Sequence, residues 1–337
     1  MGAVWNTEVG VNLWFQALGQ WLRVPMEVLT VLGSQLLLVP LLCLVFWSVD
    51  ARTGARGLVL LTGSALVNGV LKVAFHGARP YWLDTRVRPM SEESSFGIPS
   101  GHVQTSVVAW GNLAAGRARP WAWWAAAILV AVVAVTRLYL GVHFLSDVLA
   151  GLAAGGLLLW AALRYEGAAV RRWRRRPLGA QIGLAFALAA VPAALAAAWQ
   201  RLVFPGWAPP PQWAGPVPPD VAQHSLLTAF TAGGGLFGVL AGLSVLAARG
   251  WYSAAGTTRA RAARFVIGIA VLLPLFIAVE HLPHMGGAID AAARFAGAAA
   301  VALWGALGAP ELFVRTGLAG RPGTERGGPG TPARPLP

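Results

Sequence analysis

The sequence predicts an all-α protein that crosses a membrane many times, and three observations support this fold class. Of the 337 residues, 56% are hydrophobic and only 12% are charged, so polar surface is too scarce to coat a soluble globule of this size. Apolar runs of about 20 residues, the length that crosses a bilayer as a helix, recur along the chain. Basic residues cluster between these runs, which is typical of cytoplasmic loops facing anionic lipid. We therefore expect an integral membrane bundle with lipid neighbours and no nucleic-acid partner.

Residues 1–24 predict an amphipathic helix that lies on the outer membrane interface. Trp14 and Trp21 are interspersed there with polar side chains such as Glu8 and Asn12, a mixture too polar for a transmembrane span. No basic stretch precedes an apolar run at this end, so we expect no cleavable signal peptide. The first span then acts as its own targeting signal.

Nine apolar segments follow and are predicted as spans. Their approximate bounds are 27–48, 56–75, 101–117, 121–139, 144–163, 178–200, 226–248, 262–283 and 287–308. The third segment begins with polar residues and is the weakest candidate of the nine. Small residues recur in the later segments, which lets membrane helices pack closely against each other.

The segments divide the chain into a catalytic part and a C-terminal addition. Residues 25–165 are predicted to form a catalytic core of about five spans, and residues 178–310 add four more. We expect a basic cytoplasmic loop over residues 166–177 and a disordered cytoplasmic tail over residues 311–337, whose last part is rich in Gly, Pro and Arg. The proline-rich residues 204–223 predict an irregular cap on the outer surface.

The distribution of basic residues predicts how the chain is oriented. If the spans alternate in direction, one side of the membrane receives 18 of the 26 Lys and Arg residues. The positive-inside rule then places the N-terminus outside and the C-terminus in the cytoplasm. This is the arrangement expected for a protein of a bacterial inner, or plasma, membrane.

Three short motifs at the ends of predicted spans carry the ionisable residues. They are Lys72–Pro80, Pro99–His102 and Arg137–Asp147, and the predicted orientation puts all three on the outer side. Ionisable groups beside long apolar runs are costly in or near a bilayer, so they indicate function. We therefore expect one extracytoplasmic site built from all three motifs.

The cations and small residues of the motifs suit a phosphate group. Arg79 and Arg137 offer forked guanidinium donors, and Lys72 adds a point charge. Ser100 can donate its hydroxyl, while the backbone N–H groups of Ser100, Gly101 and their successor lie at a predicted helix start, where anions bind. Gly101 would allow a close approach of the phosphate to the backbone.

Two histidines and an aspartate supply the groups that phosphoryl transfer needs. Asp147 follows His143 by four residues, so both lie on one face of a helix, and a carboxylate that holds one imidazole nitrogen makes the other a nucleophile. We therefore expect His143 to be the nucleophile and Asp147 its orienting partner. His102 is then the general acid for the leaving group and afterwards the base that activates water. This chemistry requires no metal and no cofactor.

The motif set resembles the signature of the type 2 phosphatidic acid phosphatase superfamily, which includes the vanadium haloperoxidases. The matching residues, over about residues 56–163, are Lys72, Arg79 and Pro80; Pro99, Ser100, Gly101 and His102; and Arg137, His143 and Asp147. The resemblance implies a helical membrane bundle with a haloperoxidase-like core and a phosphohistidine intermediate. Thr136 stands where the family usually has serine, and it keeps the hydroxyl.

A narrower resemblance concerns the substrate. The run from Arg79 to Trp82, the nine predicted spans and the outer N-terminus are similar to glucose-6-phosphatase and its bacterial relatives, whereas Asp147 follows the lipid phosphatase pattern. We expect a metal-independent phosphatase acting on a lipid such as an isoprenyl pyrophosphate, phosphatidate or phosphatidylglycerol phosphate. A sugar-phosphate phosphatase and a non-catalytic lipid-phosphate binding protein or transporter are the alternatives. The sequence leaves the oligomeric state open.

The charged loop Asp84–Gly97 between the first two motifs contains Glu92 and Glu93. We interpret it as a solvated loop, with a mobile lid over the site as the alternative.

Overall fold

The computed structural model describes residues 2–117, 119–282 and 285–322, and the regular elements within these ranges are all helical. An all-α membrane bundle is thus confirmed as the fold class. The α-helices are α1 Gly2–Ala17, α2 Arg23–Thr30, α3 Gln35–Ser48, α4 Ala51–Phe75, α5 Pro80–Leu83, α6 Gly101–Arg117, α7 Pro120–Tyr139, α8 Leu145–Arg174, α9 Leu178–Val203, α10 Val221–Ala248, α11 Thr258–Glu280, α12 Gly287–Leu303 and α13 Ala309–Arg315. A π-helical turn, Trp304–Gly308, joins the last two helices.

Seven helices in the described ranges are long and apolar enough to cross a membrane. The segments 20–33 and 35–48, bent by 42° at their junction, would make an eighth span if counted together. The nine predicted spans are therefore not confirmed. Helix α6 falls short because it is 17 residues long and faces protein rather than lipid: its buried Gln104 and Asn112 donate to the backbone oxygens of Ser64 and Thr53 on α4.

Two predicted boundaries differ from the observed helix ends. Residues 166–174, expected in a cytoplasmic loop, are the last turns of α8, and only residues 175–177 separate it from α9. The basic residues there favour a helix C-terminus, where they meet the negative end of the helix dipole, and Pro177 then marks the break. The predicted tail begins inside α13, and its residues 323–337 lie outside the described part of the chain.

Helix α4 lies at the centre of the bundle and packs against α3, α6, α9 and α10. Its contact with α10 depends on Gly69, because a Cβ at that position would lie 2.9 Å from the Ala229 Cα. This close approach, of the kind that small residues permit between membrane helices, joins the first half of the bundle to the last four long helices.

The two ends of the bundle differ in chemistry. At one end, Arg56 near the start of α4 pairs with Glu166 of α8, with Nη1 3.0 Å from Oε2, and contacts Asn112 of α6. Lys72 lies in the last turn of α4, about 24 Å away along an α-helix that rises about 1.5 Å per residue. The end of α7 and the starts of α6 and α8 lie at this second end, which brings the three motifs together.

Candidate active site

Backbone hydrogen bonds tie the three motifs to one another. Gly97 N–H, just before the second motif, donates to Gly77 O of the first at 2.9 Å, and Ser100 N–H donates to Asp147 O of the third at 3.0 Å. The expectation that Ser100 N–H faces a phosphate is therefore wrong, since it is already bonded to Asp147. Its side chain remains available, because the buried Ser100 Oγ has no hydrogen-bond partner among the described residues.

His143 and Asp147 form the predicted pair across the turn that starts α8. His143 Nδ1 lies 3.2 Å from Asp147 Oδ2, and the same carboxylate oxygen accepts from Phe144 N–H at 2.9 Å. Burial lowers the pKa of His143 well below its ordinary value, and Arg79 and Arg137 act in the same direction. Both effects favour the neutral imidazole, and with its proton on Nδ1, facing Asp147, the lone pair lies on Nε2.

The three motif cations are buried together. Arg79 is 0% exposed, Arg137 1% and Lys72 5%. Arg79 Nη1 donates to Val142 O at 2.8 Å, which connects the first motif with the turn that carries the nucleophile candidate. Arg137 reaches Thr30 Oγ1 at 3.1 Å, while its Nε has no partner among the described residues. This concentration of positive charge suits an anion with several oxygens.

Glu93 supplies the carboxylate of this cluster, and the sequence interpretation missed it. One carboxylate oxygen pairs with Arg137 Nη2, and the other lies 3.3 Å from Arg79 Nη2. Burial by itself would raise the pKa of Glu93, but Arg79 and Arg137 outweigh it and lower the pKa to about 2. This part of loop 84–97 is thus packed into the site instead of solvated. In the sequence, its position between the first two motifs is the signal for such a role, and Glu92 shares that position.

His102 and Gly101 open α6 beside this cluster. His102 is half-buried, and the charges of Arg137, Glu93 and Lys72 all act on its imidazole. A Cβ at Gly101 would lie 3.2 Å from the Asn68 Oδ1, so the missing side chain keeps the helix start close to α4. Arg79, Arg137 and Lys72 thus act on both imidazoles.

Helix α1 supports the turn that carries His143, which the sequence did not indicate. The buried Asn12 donates from Nδ2 to Leu138 O at 2.9 Å and to His143 O at 3.0 Å. Glu8 accepts from both the N–H and the hydroxyl of Ser146 at 2.8 Å. The N-terminal helix is thus packed against the candidate site through its polar face.

The irregular segment between α9 and α10 covers the same end of the bundle. Trp213 stacks on Trp82 with ring centroids 5.5 Å apart, and Gly215 N–H donates to Trp82 O at 2.9 Å. The Phe204 ring lies 4.0 Å from the His76 ring. This segment is a cap made of prolines and tryptophans, as its composition predicts.

Comparison with known proteins identifies two matching regions. Residues 54–171 match the PAP2 superfamily, and residues 230–321 match the transmembrane extension of PAP2 superfamily phosphatases. A similar relative is phosphatidylglycerophosphatase B of Bacillus subtilis (strain 168), 28% identical over 169 residues that cover 46% of this chain and 80% of the relative. A crystal structure of a transmembrane PAP2-type phosphatidylglycerolphosphate phosphatase from the same species is 26% identical, with a TM-score of 0.45. It covers 50% of this chain and 88% of that one.

Proposed function

The chain belongs to the PAP2 superfamily, and on that premise we propose that it is a membrane phosphatase that removes phosphate from a lipid through a phosphohistidine at His143. The observation that carries the proposal is an anion-binding site next to His143, whose imidazole is oriented by Asp147. Arg79 and Arg137, from two different motifs, converge on one carboxylate, and Arg79 also contacts the turn that holds His143.

The first step is attack by His143 on phosphorus. The Nε2 lone pair forms the N–P bond while the bond from phosphorus to the leaving oxygen breaks, and Asp147 stabilises the positive charge that develops on the imidazole. His102 donates a proton to the leaving oxygen, which departs as the alcohol. The phosphoryl oxygens are neutralised by Arg79 and Arg137 and accept a hydrogen bond from Ser100 Oγ.

The second step hydrolyses the phosphohistidine. His102, now unprotonated, accepts a proton from water as the water oxygen attacks phosphorus. The N–P bond breaks, its electron pair returns to Nε2, and inorganic phosphate leaves. Buried cationic side chains supply the positive charge for both steps, so we expect activity to persist in the presence of EDTA.

A lipid is the proposed substrate class, with phosphatidylglycerol phosphate tested first. The name of the Bacillus subtilis relative supports this choice. So does the location of the site at the ends of long apolar helices, where a lipid headgroup can enter while its chains stay in the bilayer. The span count no longer favours the sugar-phosphate alternative, because the described residues contain seven or eight candidate spans instead of nine.

The test is phosphate release by the purified protein from a panel of substrates. The panel contains phosphatidylglycerol phosphate, phosphatidate, an isoprenyl pyrophosphate and glucose 6-phosphate, each with and without EDTA. We expect release from the lipids at rates well above that from the sugar phosphate. Release from the sugar phosphate alone would contradict the lipid assignment, and no release from any substrate would contradict the phosphatase.

The variant His143→Ala tests the nucleophile. We expect a rate loss of at least about three decades, because removal of a covalent nucleophile typically costs that much. His281→Ala is the matched control, since His281 is exposed at the end of α11, and it should retain full activity. Most of the activity surviving in His143→Ala would exclude the phosphohistidine.

A further inference from the structure

We infer that Glu93 is an internal anion that occupies the place of the substrate phosphate and thereby sets which phosphates the site accepts. The inference rests on the proposed function, since it assigns the two arginines to phosphate binding. It adds a specificity determinant that lies in none of the three motifs. A substrate must displace this carboxylate before its own oxygens can reach the guanidinium groups.

The contacts of Glu93 are those expected of a bound phosphate. Its two carboxylate oxygens engage guanidinium groups from two motifs, Arg137 through one oxygen and Arg79 through the other. Both arginines are 1% exposed or less. An anion that bridges them must therefore be held inside the protein, on the same donors that the catalytic steps assign to phosphoryl oxygens.

Neighbouring loop atoms fill the remaining donor positions. Arg79 Nε donates to Ser95 O at 2.7 Å, and Lys72 Nζ donates to Ser95 Oγ at 3.2 Å and to Phe96 O. Two donors of the proposed phosphate-binding residues, Ser100 Oγ and Arg137 Nε, are buried and have no partner among the described residues. The Glu93 carboxylate has two oxygens, whereas a phosphoryl group has three. A carboxylate in the place of a phosphate would therefore leave some donors without a partner.

The carboxylate has room to leave while the loop stays in place. Phe96 N–H is held by Ser225 Oγ of α10 at 3.1 Å, which anchors the loop beside the site. The Glu93 side chain is 19% exposed, in contrast to its two arginine partners. Rotation of this one side chain towards solvent would open the anion position without unfolding the segment.

Competition from Glu93 affects different phosphates unequally. A phosphate monoester carries about −1.5 to −2 charges at pH 7 and three free oxygens, so it can replace a carboxylate on two arginines and gain attraction. A phosphodiester carries one charge and two free oxygens, and it gains little over the carboxylate that it displaces. Because a membrane consists largely of phosphodiester lipids, Glu93 would keep them out of the site while monoesters enter.

The test compares binding of two probes by wild type, Glu93→Gln and Glu92→Gln, without turnover. The probes are inorganic phosphate and dihexanoyl phosphatidylglycerol, a short-chain diester, and calorimetry measures their affinity. Glu92 is the matched control because it is the adjacent carboxylate and is exposed. We expect Glu93→Gln to bind phosphate at least about tenfold more tightly, which is about 1.4 kcal/mol, and to bind the diester measurably. Glu92→Gln should match the wild type.

Unchanged or weaker phosphate binding by Glu93→Gln would overturn the inference and make Glu93 a permanent orienting partner of the arginines. Adding Arg137→Ala should abolish the gain, because the two substitutions act on one site; a gain that persists would equally overturn it. A phosphate-bound structure of the wild type tests the same point without any variant: Glu93 should lie beyond hydrogen-bond distance of both arginines. These binding results stand apart from the substrate panel, whose failure would refute the phosphatase alone.

Discussion

The two imidazoles of the site differ in how firmly each is held. His143 is buried and held through Nδ1 by Asp147, whose carboxylate also accepts from Phe144 N–H. His102 is only partly buried at the start of α6, where the charges of Arg137 and Glu93 act on it. A nucleophile gains from a fixed direction of attack. A proton-transfer group must exchange with water between the two steps, and partial exposure suits that role.

The variant His102→Ala should reveal the acid role through its dependence on the leaving group. We expect a loss of roughly 10²–10⁴-fold for a lipid phosphate monoester, because the alkoxide leaves poorly without a proton. The loss should be smaller for an isoprenyl pyrophosphate, whose phosphate leaving group is more stable as an anion. Initial rates on both substrates measure the difference. Equal losses would mean that His102 does not protonate the leaving oxygen.

Local spacing explains which residues could be predicted from the sequence. His143 and Asp147 are four residues apart, and a helix brings such residues together whatever the rest of the fold does. Glu93 contacts Arg137 across 44 positions, and Asn12 contacts His143 across 131. No periodicity relates residues so distant, and carboxylates or amides near a membrane surface usually face solvent. Only their contacts in the folded protein reveal these roles.

At the scale of elements, helix α1 acts as a brace for the turn between α7 and α8. Its Asn12 donates to Leu138 O at the end of α7 and to His143 O in the turn, and its Glu8 accepts from Ser146 at the start of α8. In the sequence, both residues fit the polar face of an interfacial helix. The same polar pattern is required of a helix that binds exposed backbone groups of a neighbouring turn, so composition alone could not distinguish the two.

The variant Asn12→Ala should impair catalysis by releasing this turn. The backbone oxygens of Leu138 and His143 each lose one hydrogen-bond donor, which we expect to cost about 1–3 kcal/mol of stability. The substitution should lower kcat more than it raises KM, since the phosphate donors remain. Gly10→Ala is the control on the same helix, because Gly10 is exposed and its Cβ would meet no atom within 4 Å. Thermal unfolding and steady-state kinetics together check the prediction; a change in KM alone would oppose a positioning role.

Proline predicts the helix boundaries of this chain better than a run of charged residues does. Helix α7 begins at Pro120, close to the predicted start. Helix α8 runs on through Glu166 and the arginines up to Arg174 because these residues are good helix formers and Glu166 pairs with α4. The first predicted span is bent near Gly33, a break that an apolar run does not reveal.

At the scale of the whole molecule, the separation of the two ends gives a direct test of orientation. The cap lies at the end with the motifs, while Arg175 follows α8 at the other end. Cys43, the single cysteine, is buried, so it should not react in the folded protein. We expect a membrane-impermeant maleimide to label Gln212→Cys, which is exposed in the cap, in intact cells. Arg175→Cys should be labelled only after permeabilisation, and the reverse pattern would invert the proposed topology.

The stacking of Trp213 on Trp82 constrains how the C-terminal half of the chain can be lost or replaced in evolution. Trp213 lies beyond the first matched region, 54–171, whereas Trp82 lies inside that region. A gene shortened after α8 would encode every motif residue, yet it would leave an aromatic surface without its cover. Loss or exchange of the C-terminal half during evolution would therefore require compensating substitutions around Trp82.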